Sequence, residues 1–152
     1  MQAVQGSYFP ASANDRRRII GQLETMPVRC MIVDDNRDFL RAATDLLEDT
    51  GVIVAGVAST AAQARLACGE LQPDVALIDI DLGDESGFEV AHQLAGQVGP
   101  DQPRVILISA HSAEDYIEMI ADSPALSFLS KGSLSASAVL GILAAAGGSP
   151  PA

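Results

Sequence analysis

Residues 71–90, LQPDVALIDIDLGDESGFEV, decide how this chain folds. Pro73 opens the stretch, and 75–78 is an unbroken apolar run that suits a strand covered on both faces. The run stops at Asp79. Residues 81–86 mix Asp, Gly, Glu and Ser and read as a loop, and a helical period begins at Gly87 and lasts to about Gln97. Buried strand, acidic loop and helix in succession are the repeating unit of an α/β fold.

The same unit recurs on both sides. Upstream, 28–33 is an apolar run ending in Asp34-Asp35. Asn36 caps a helix that continues through Glu48, with Phe39, Ala43, Leu46 and Leu47 at inward-facing spacings, and Gly51 stops it. A second strand spans 52–57, and Ser59 or Thr60 caps an Ala-rich helix to about Gly69. Downstream, 105–108 is a fourth strand ending at Ser109, followed by a helix over 113–121. A short fifth strand, 126–129, leads to Lys131, and a last helix covers 134–146. Five strands alternating with five helices predict a doubly wound α/β domain over 27–146. Residues 1–26 read as a flexible extension with a short helix near 15–25 capped by Asp15, and 147–152 as a frayed tail.

Composition limits the function classes. Acidic residues outnumber basic ones by 20 to 9, for a net charge of -11, which repels phosphate backbones and argues against direct nucleic-acid binding. The run Arg16-Arg17-Arg18 reads as a solvated face or a partner-docking patch. Aromatics make up only 4% of the chain, so the core must come from Val, Ile, Leu and Ala. Cys30 and Cys68 lack metal or redox spacing and read as buried thiols. No apolar run is long enough to span a membrane and no signal-peptide core is visible, so a soluble cytoplasmic domain without membrane contact is expected.

The chemistry lies where strands end. Strand one ends in Asp34-Asp35, strand three in Asp79, strand four in Ser109 and strand five in Lys131. In open parallel sheets, ligands bind beyond the carboxyl ends of the strands. Any one polar terminus is explained by solvation; the set is chemically complementary. Crowded carboxylates need a cation, and oxygen-only ligands favour Mg²⁺. A carboxylate beside such an ion can attack phosphorus and form an aspartyl phosphate. Lys131 would then neutralise one phosphoryl oxygen and Ser109 hydrogen-bond another.

Those residues resemble the signature of bacterial response-regulator receiver domains. VRCMIVDDNRDFLRAATDLLE is similar to the family's first strand, acidic pair and helix; LQPDVALIDIDLGDESGFEVAHQL resembles its phosphoacceptor segment. RVILISAHSAEDYIEMI and LSFLSKGSLS match its hydroxyl and lysine segments. The resemblance implies a flavodoxin-like sheet of strand order 2-1-3-4-5. It makes Asp79 the phosphoacceptor and gives Asp35 the direct Mg²⁺ contact, with Asp34 acting through water and the backbone carbonyl of Asp81 as a further ligand. It also implies Ser109 as switch hydroxyl, Lys131 as counter-ion and Phe128 as aromatic switch, although an aromatic in a short strand is also ordinary core. The implied partners are a sensor histidine kinase or phosphotransfer protein and a downstream protein target, reached through helix four, strand five and helix five; a second copy of the chain stays among them.

Three departures stand out. Gly83 replaces the usual loop Pro, Gly132 follows Lys131 where a cis Pro is common, and Asp81 puts a carboxylate beside the acceptor. A trans Lys131–Gly132 bond is expected, because a cis bond without Pro costs roughly 2.5–4 kcal/mol. His111 reads as a loop histidine near the rim and His92 as a surface residue. Two other functions compete. Asp79-Ile80-Asp81 resembles the DxD motif of haloacid-dehalogenase phosphatases, but here the acidic pair precedes that motif and residues for a substrate cap are lacking. An unphosphorylated docking module would not need this polar set. On the residues alone, a single-domain regulator and a piece of a longer helix-turn-helix regulator both remain open.

Overall fold

A computed structural model describes residues 27–96 and 102–148. The apolar runs that precede Asp34, Asp79 and Ser109 lie side by side as β1 (Arg29–Val33), β3 (Val75–Asp79) and β4 (Arg104–Ser109). β2 (Ile53–Ala58) and β5 (Ser127–Ser130) form the edges, giving the parallel order β2-β1-β3-β4-β5. Between them run α1 (Arg37–Asp49), α2 (Ala61–Leu71), α3 (Gly87–Ala95), α4 (Ile117–Asp122) and α5 (Ala136–Leu143). The flavodoxin-like, doubly wound arrangement is the one expected.

Alternation along the strands builds a core on each face. Cys30, Ile32, Val75, Leu77, Ile106 and Ile108 turn toward α1 and α5, where Leu40, Leu47 and Val139 meet them. Met31, Val33, Ala76, Ile78, Val105 and Leu107 turn the other way, toward Ala64, Cys68, Val90 and Leu94 of α2 and α3. The two cysteines thus lie on opposite faces of the sheet as buried free thiols, and burial pushes Cys30 up to about 12. Fully burying each large aliphatic side chain contributes roughly 1.5–3 kcal/mol.

Local chemistry sets most element ends. Asn36 Oδ1 accepts the Phe39 N–H at 3.1 Å to cap α1. Thr60 Oγ1 accepts the Gln63 N–H at 3.1 Å while Gln63 Oε1 accepts the Ser59 N–H at 2.8 Å, a reciprocal cap for α2. That helix passes Gly69 and ends at Gln72, held in the left-handed region at φ 47° just before Pro73.

Four details differ from expectation. Leu46 is 44% exposed, whereas Leu40 is buried: the inward stripe of α1 is Leu40, Ala43 and Leu47, and Leu46 stands about 100° of helical rotation from Leu47. The expected loop over 81–86 is a small antiparallel hairpin, Asp81–Leu82 against Glu85–Ser86, whose turn begins with Gly83 at φ 74°. A 3₁₀ turn, Ala113–Tyr116, precedes α4, because the Ser112 hydroxyl takes the Glu114 N–H at 3.1 Å and starts a tight first turn. α5 starts at Ala136, not Leu134, because Ser135 Oγ accepts the Ala138 N–H at 3.0 Å as its cap, and Leu134 is left extended and buried. The expectations for residues 1–26 lie outside the described residues.

Adjacent leucines on α1 test the inward stripe. Leu47→Ala should lower the unfolding free energy by about 2–5 kcal/mol, whereas Leu46→Ala should change it by no more than about 0.5 kcal/mol. Urea unfolding monitored by circular dichroism separates the two, and equal losses would overturn the assignment.

Candidate functional site

Strand register carries the polar residues to one place. Val33 pairs with Ile78, so Asp34 follows beside Asp79. Asp79 pairs with Ile108, which puts Ser109 one step beyond, and Ser109 pairs with Ser130, which puts Lys131 next. These side chains surround an open cavity of about 220 Å³, lined by Asp34, Asp35, Asp79, Asp81, Ser109 and Lys131. Asn36, Gly83, Ala110 and His111 complete the wall. Phe128 lies elsewhere: it is half-buried opposite Leu107 and packs against the α2–α3 side of the core.

The carboxylates are tightly grouped. One oxygen each from Asp34, Asp35 and Asp79 lies within 4.8 Å of the others. Lys131 Nζ stands 2.6 Å from Asp34 Oδ2 and 3.1 Å from Asp79 Oδ2. Asp34 Oδ2 is fully buried, and the Lys131 ammonium is its close charge partner. Asp34 Oδ1 accepts the Asn36 N–H at 2.8 Å, and Asp79 Oδ1 accepts the Asp81 N–H at 3.2 Å. Three carboxylates grouped around one ammonium leave negative charge in excess, and their oxygens are the ligand type a hard divalent cation such as Mg²⁺ fits.

Electrostatics follow from burial. Desolvation pushes Asp79 up to about 6 and the Asp34 charge adds to the rise, while the Asp81 N–H and Lys131 hold it down. Burial alone would lower the Lys131 ammonium, but the contacts with Asp34 and Asp79 outweigh it and the net direction is upward. At neutral pH the pair is therefore carboxylate and ammonium. Ser109 is buried, and its Oγ accepts the His111 N–H at 2.9 Å, which fixes the hydroxyl at the cavity wall.

Backbone constraints place Asp79. The Gly87 N–H donates to Ile80 O at 2.7 Å, and a Cβ on Gly87 would overlap the Asp79 carbonyl and come within 2.8 Å of Ile80 Cα. Only glycine lets α3 start against the end of β3. Gly83 passes close to Asp35 Oδ2, where a Cβ would stand 3.1 Å away. The hairpin is also tied to α2, because Glu85 Oε1 accepts the Ala61 N–H at 2.8 Å. The Lys131–Gly132 peptide is trans, and no cis bond occurs among the described residues. Sequence reasoning missed the wall residues Asn36 and Gly83 as site parts, and it assigned Phe39 to the core alone. The ring in fact lies under the ammonium, with Lys131 Nζ 4.4 Å from its centroid; helical spacing carries no signal of that contact.

Comparison with known proteins gives one family. Residues 30–139 match the model for the response regulator receiver domain. The chain is 33% identical over 86 residues to a protein-glutamate methylesterase/protein-glutamine glutaminase of Halobacterium salinarum, covering 56% of this chain and 24% of that one. It is 27% identical over 124 residues to the transcriptional regulatory protein LiaR of Bacillus subtilis, covering 81% of this chain and 58% of LiaR. Among solved structures, the signal receiver domain of the putative response regulator NarL from Mycobacterium tuberculosis superposes with a TM-score of 0.68 at 31% identity, covering 80% of this chain and 98% of that domain. The chain thus spans about a quarter of the methylesterase and little more than half of LiaR.

Two measurements probe the geometry. Gly87→Ala should destabilise the fold by about 1–3 kcal/mol through overpacking, seen as a lower urea midpoint; an unchanged midpoint would mean that β3 and α3 do not touch there. The second concerns Asp79. In metal-free protein the folded form keeps the Asp79 proton up to about pH 6, while the unfolded chain loses it near the ordinary 3.8. The folded state binds more protons across that window, so stability falls as pH rises from about 4 to about 6 and levels off above it. Unfolding free energies measured in chelator for wild type minus Asp79→Asn should show that fall, and a flat difference would contradict the shift.

Proposed function

The chain belongs to the response regulator receiver family, and from that premise we propose that Asp79 is its phosphoacceptor. Receivers of this family work in two-component phosphorelays. The relatives' names divide between a methylesterase and transcriptional regulators, so what they share with this chain is the receiver, not an output. The observation that carries the assignment is the ion-paired, buried Asp79 at the centre of the polar cavity.

Asp35 and Asp79, with Asp34 through water and the backbone carbonyl of Asp81, would hold Mg²⁺; the ion, when bound, offsets negative charge on the transferring phosphoryl group. Ionised Asp79 attacks phosphorus of a phosphohistidine donor. An oxygen–phosphorus bond forms on Asp79, the phosphorus–nitrogen bond breaks, and the imidazole leaves with the bonding pair and takes up a proton. Lys131, already 3.1 Å from Asp79 Oδ2, pairs with a phosphoryl oxygen. Ser109 turns its hydroxyl to another, giving up the His111 N–H, and Phe128 shifts with it.

The domain of 27–146 is read as a substrate of a histidine kinase or phosphotransfer protein, not as an enzyme acting on other molecules. Its signalling face is formed by α4, β5 and α5. On α4 and the approach to β5, Ile117 is 61% exposed, Met119 51% and Leu126 40%, an apolar surface suited to a protein target. A net charge of -11 disfavours nucleic acid as the direct partner of these residues. No helix among the described residues is long and apolar enough to cross a membrane; a cytoplasmic place is part of the proposal, as the setting of a two-component receiver. A haloacid-dehalogenase phosphatase is not favoured.

Incubation with candidate phosphorylated histidine kinases should label wild type with one equivalent and leave Asp79→Asn unlabelled. Equal label on the variant would move the acceptor elsewhere. Many turnovers of a generic phosphomonoester, in place of one equivalent, would favour the phosphatase.

A further inference from the structure

Lys131 is restrained from several sides, and the restraints differ in kind. Asp34 Oδ2 at 2.6 Å and Asp79 Oδ2 at 3.1 Å attract Nζ by charge, whereas the Phe39 ring holds it through a π face 4.4 Å from the ammonium. Asp34 and Asp79 also belong to the oxygen group that fits a cation. A divalent ion there neutralises the same carboxylates that hold the ammonium, and phosphorylation of Asp79 removes the carboxylate charge that the ammonium faces. The ring has no such competitor.

Its place is built into the fold. Phe39 follows the Asn36 cap, whose Oδ1 accepts the Phe39 N–H at 3.1 Å, and the Asn36 N–H in turn donates to Asp34 Oδ1 at 2.8 Å. The side chain is half-buried and packs against the core between the sheet and α1. The backbone that carries Asp34 therefore also sets the ring.

We propose that Phe39 is a positioning residue for Lys131: its ring face keeps the ammonium aimed at Asp79 once the carboxylates are otherwise engaged, a role that rests on Asp79 being the phosphoacceptor. The geometry makes the ring part of the phosphoryl-binding apparatus as well as part of the core. Leucine preserves the packing and loses the role; tyrosine keeps both.

The test uses the full chain with mono-, di- and trifluorinated phenylalanine at position 39, which weaken the negative ring face at nearly constant shape. The probe is beryllofluoride with Mg²⁺, a phosphoryl mimic. Affinity should fall stepwise by about three- to ten-fold across the series, with Phe39→Leu at the weak end, Phe39→Tyr near wild type and the thermal midpoint level. In a Lys131→Met background the series should be flat. Independently of binding, the Lys131 ε-methylene protons should show a ring-current shift with and without Mg²⁺, lost in Phe39→Leu. A flat series in the Lys131 protein, an equal slope without Lys131, a thermal midpoint that tracks affinity, or a ring shift that vanishes on adding Mg²⁺ would each overturn the proposal while wild type still binds. If wild type binds no beryllofluoride, the phosphoacceptor assignment fails and this role falls with it.

Discussion

Mutual repulsion among carboxylates at one edge of the sheet is the constraint around which this structure is arranged. Asp34, Asp35 and Asp79 sit close enough to share one ion, and two of them are buried where water cannot screen their charge. The ammonium of Lys131 opposes that repulsion from the end of the edge strand β5, reaching across the end of β4. Charge balance at the site is therefore also a contact between strands: β1 and β3 supply the anions, and the residue after β5 supplies the cation. A change of charge on Asp79 therefore changes the electrostatic balance around the Lys131 ammonium.

Close backbone packing makes the constraint specific. Gly87 lets α3 begin against the carbonyl of Asp79, and the short hairpin that follows is pinned to α2 by Glu85. Asp79 is thus held from behind by a helix start and from the side by a hairpin, while its carboxylate faces an open cavity. Rigid support behind the carboxylate keeps it oriented while the cavity in front of it stays open.

Much of this was legible in the residues. Unbroken apolar runs at 30–33, 75–78 and 105–108 suit strands buried on both faces of a parallel sheet, and the polar residue ending each run marks the ligand edge. The alternation that assigns Cys30 and Met31 to opposite cores follows from the period of a strand. The hairpin over 81–86 was less visible, because a pair of two-residue strands carries almost no period and its turn depends on the positive φ of Gly83. Leu46 was misplaced for a related reason: adjacent leucines on a helix both look apolar, and only packing against the sheet decides which one turns inward.

The sequence by itself determined the fold class, the polar set and the element that carries each member, because hydrophobic period and strand termini are local properties of the chain. Only tertiary structure decided the distances. Strand register, not residue type, brings Lys131 within 3.1 Å of an aspartate fifty-two positions away. Side-chain packing, not helical spacing, lays the Phe39 ring beneath the same ammonium. Both depend on how separate segments meet, and chain order does not encode that in any short window.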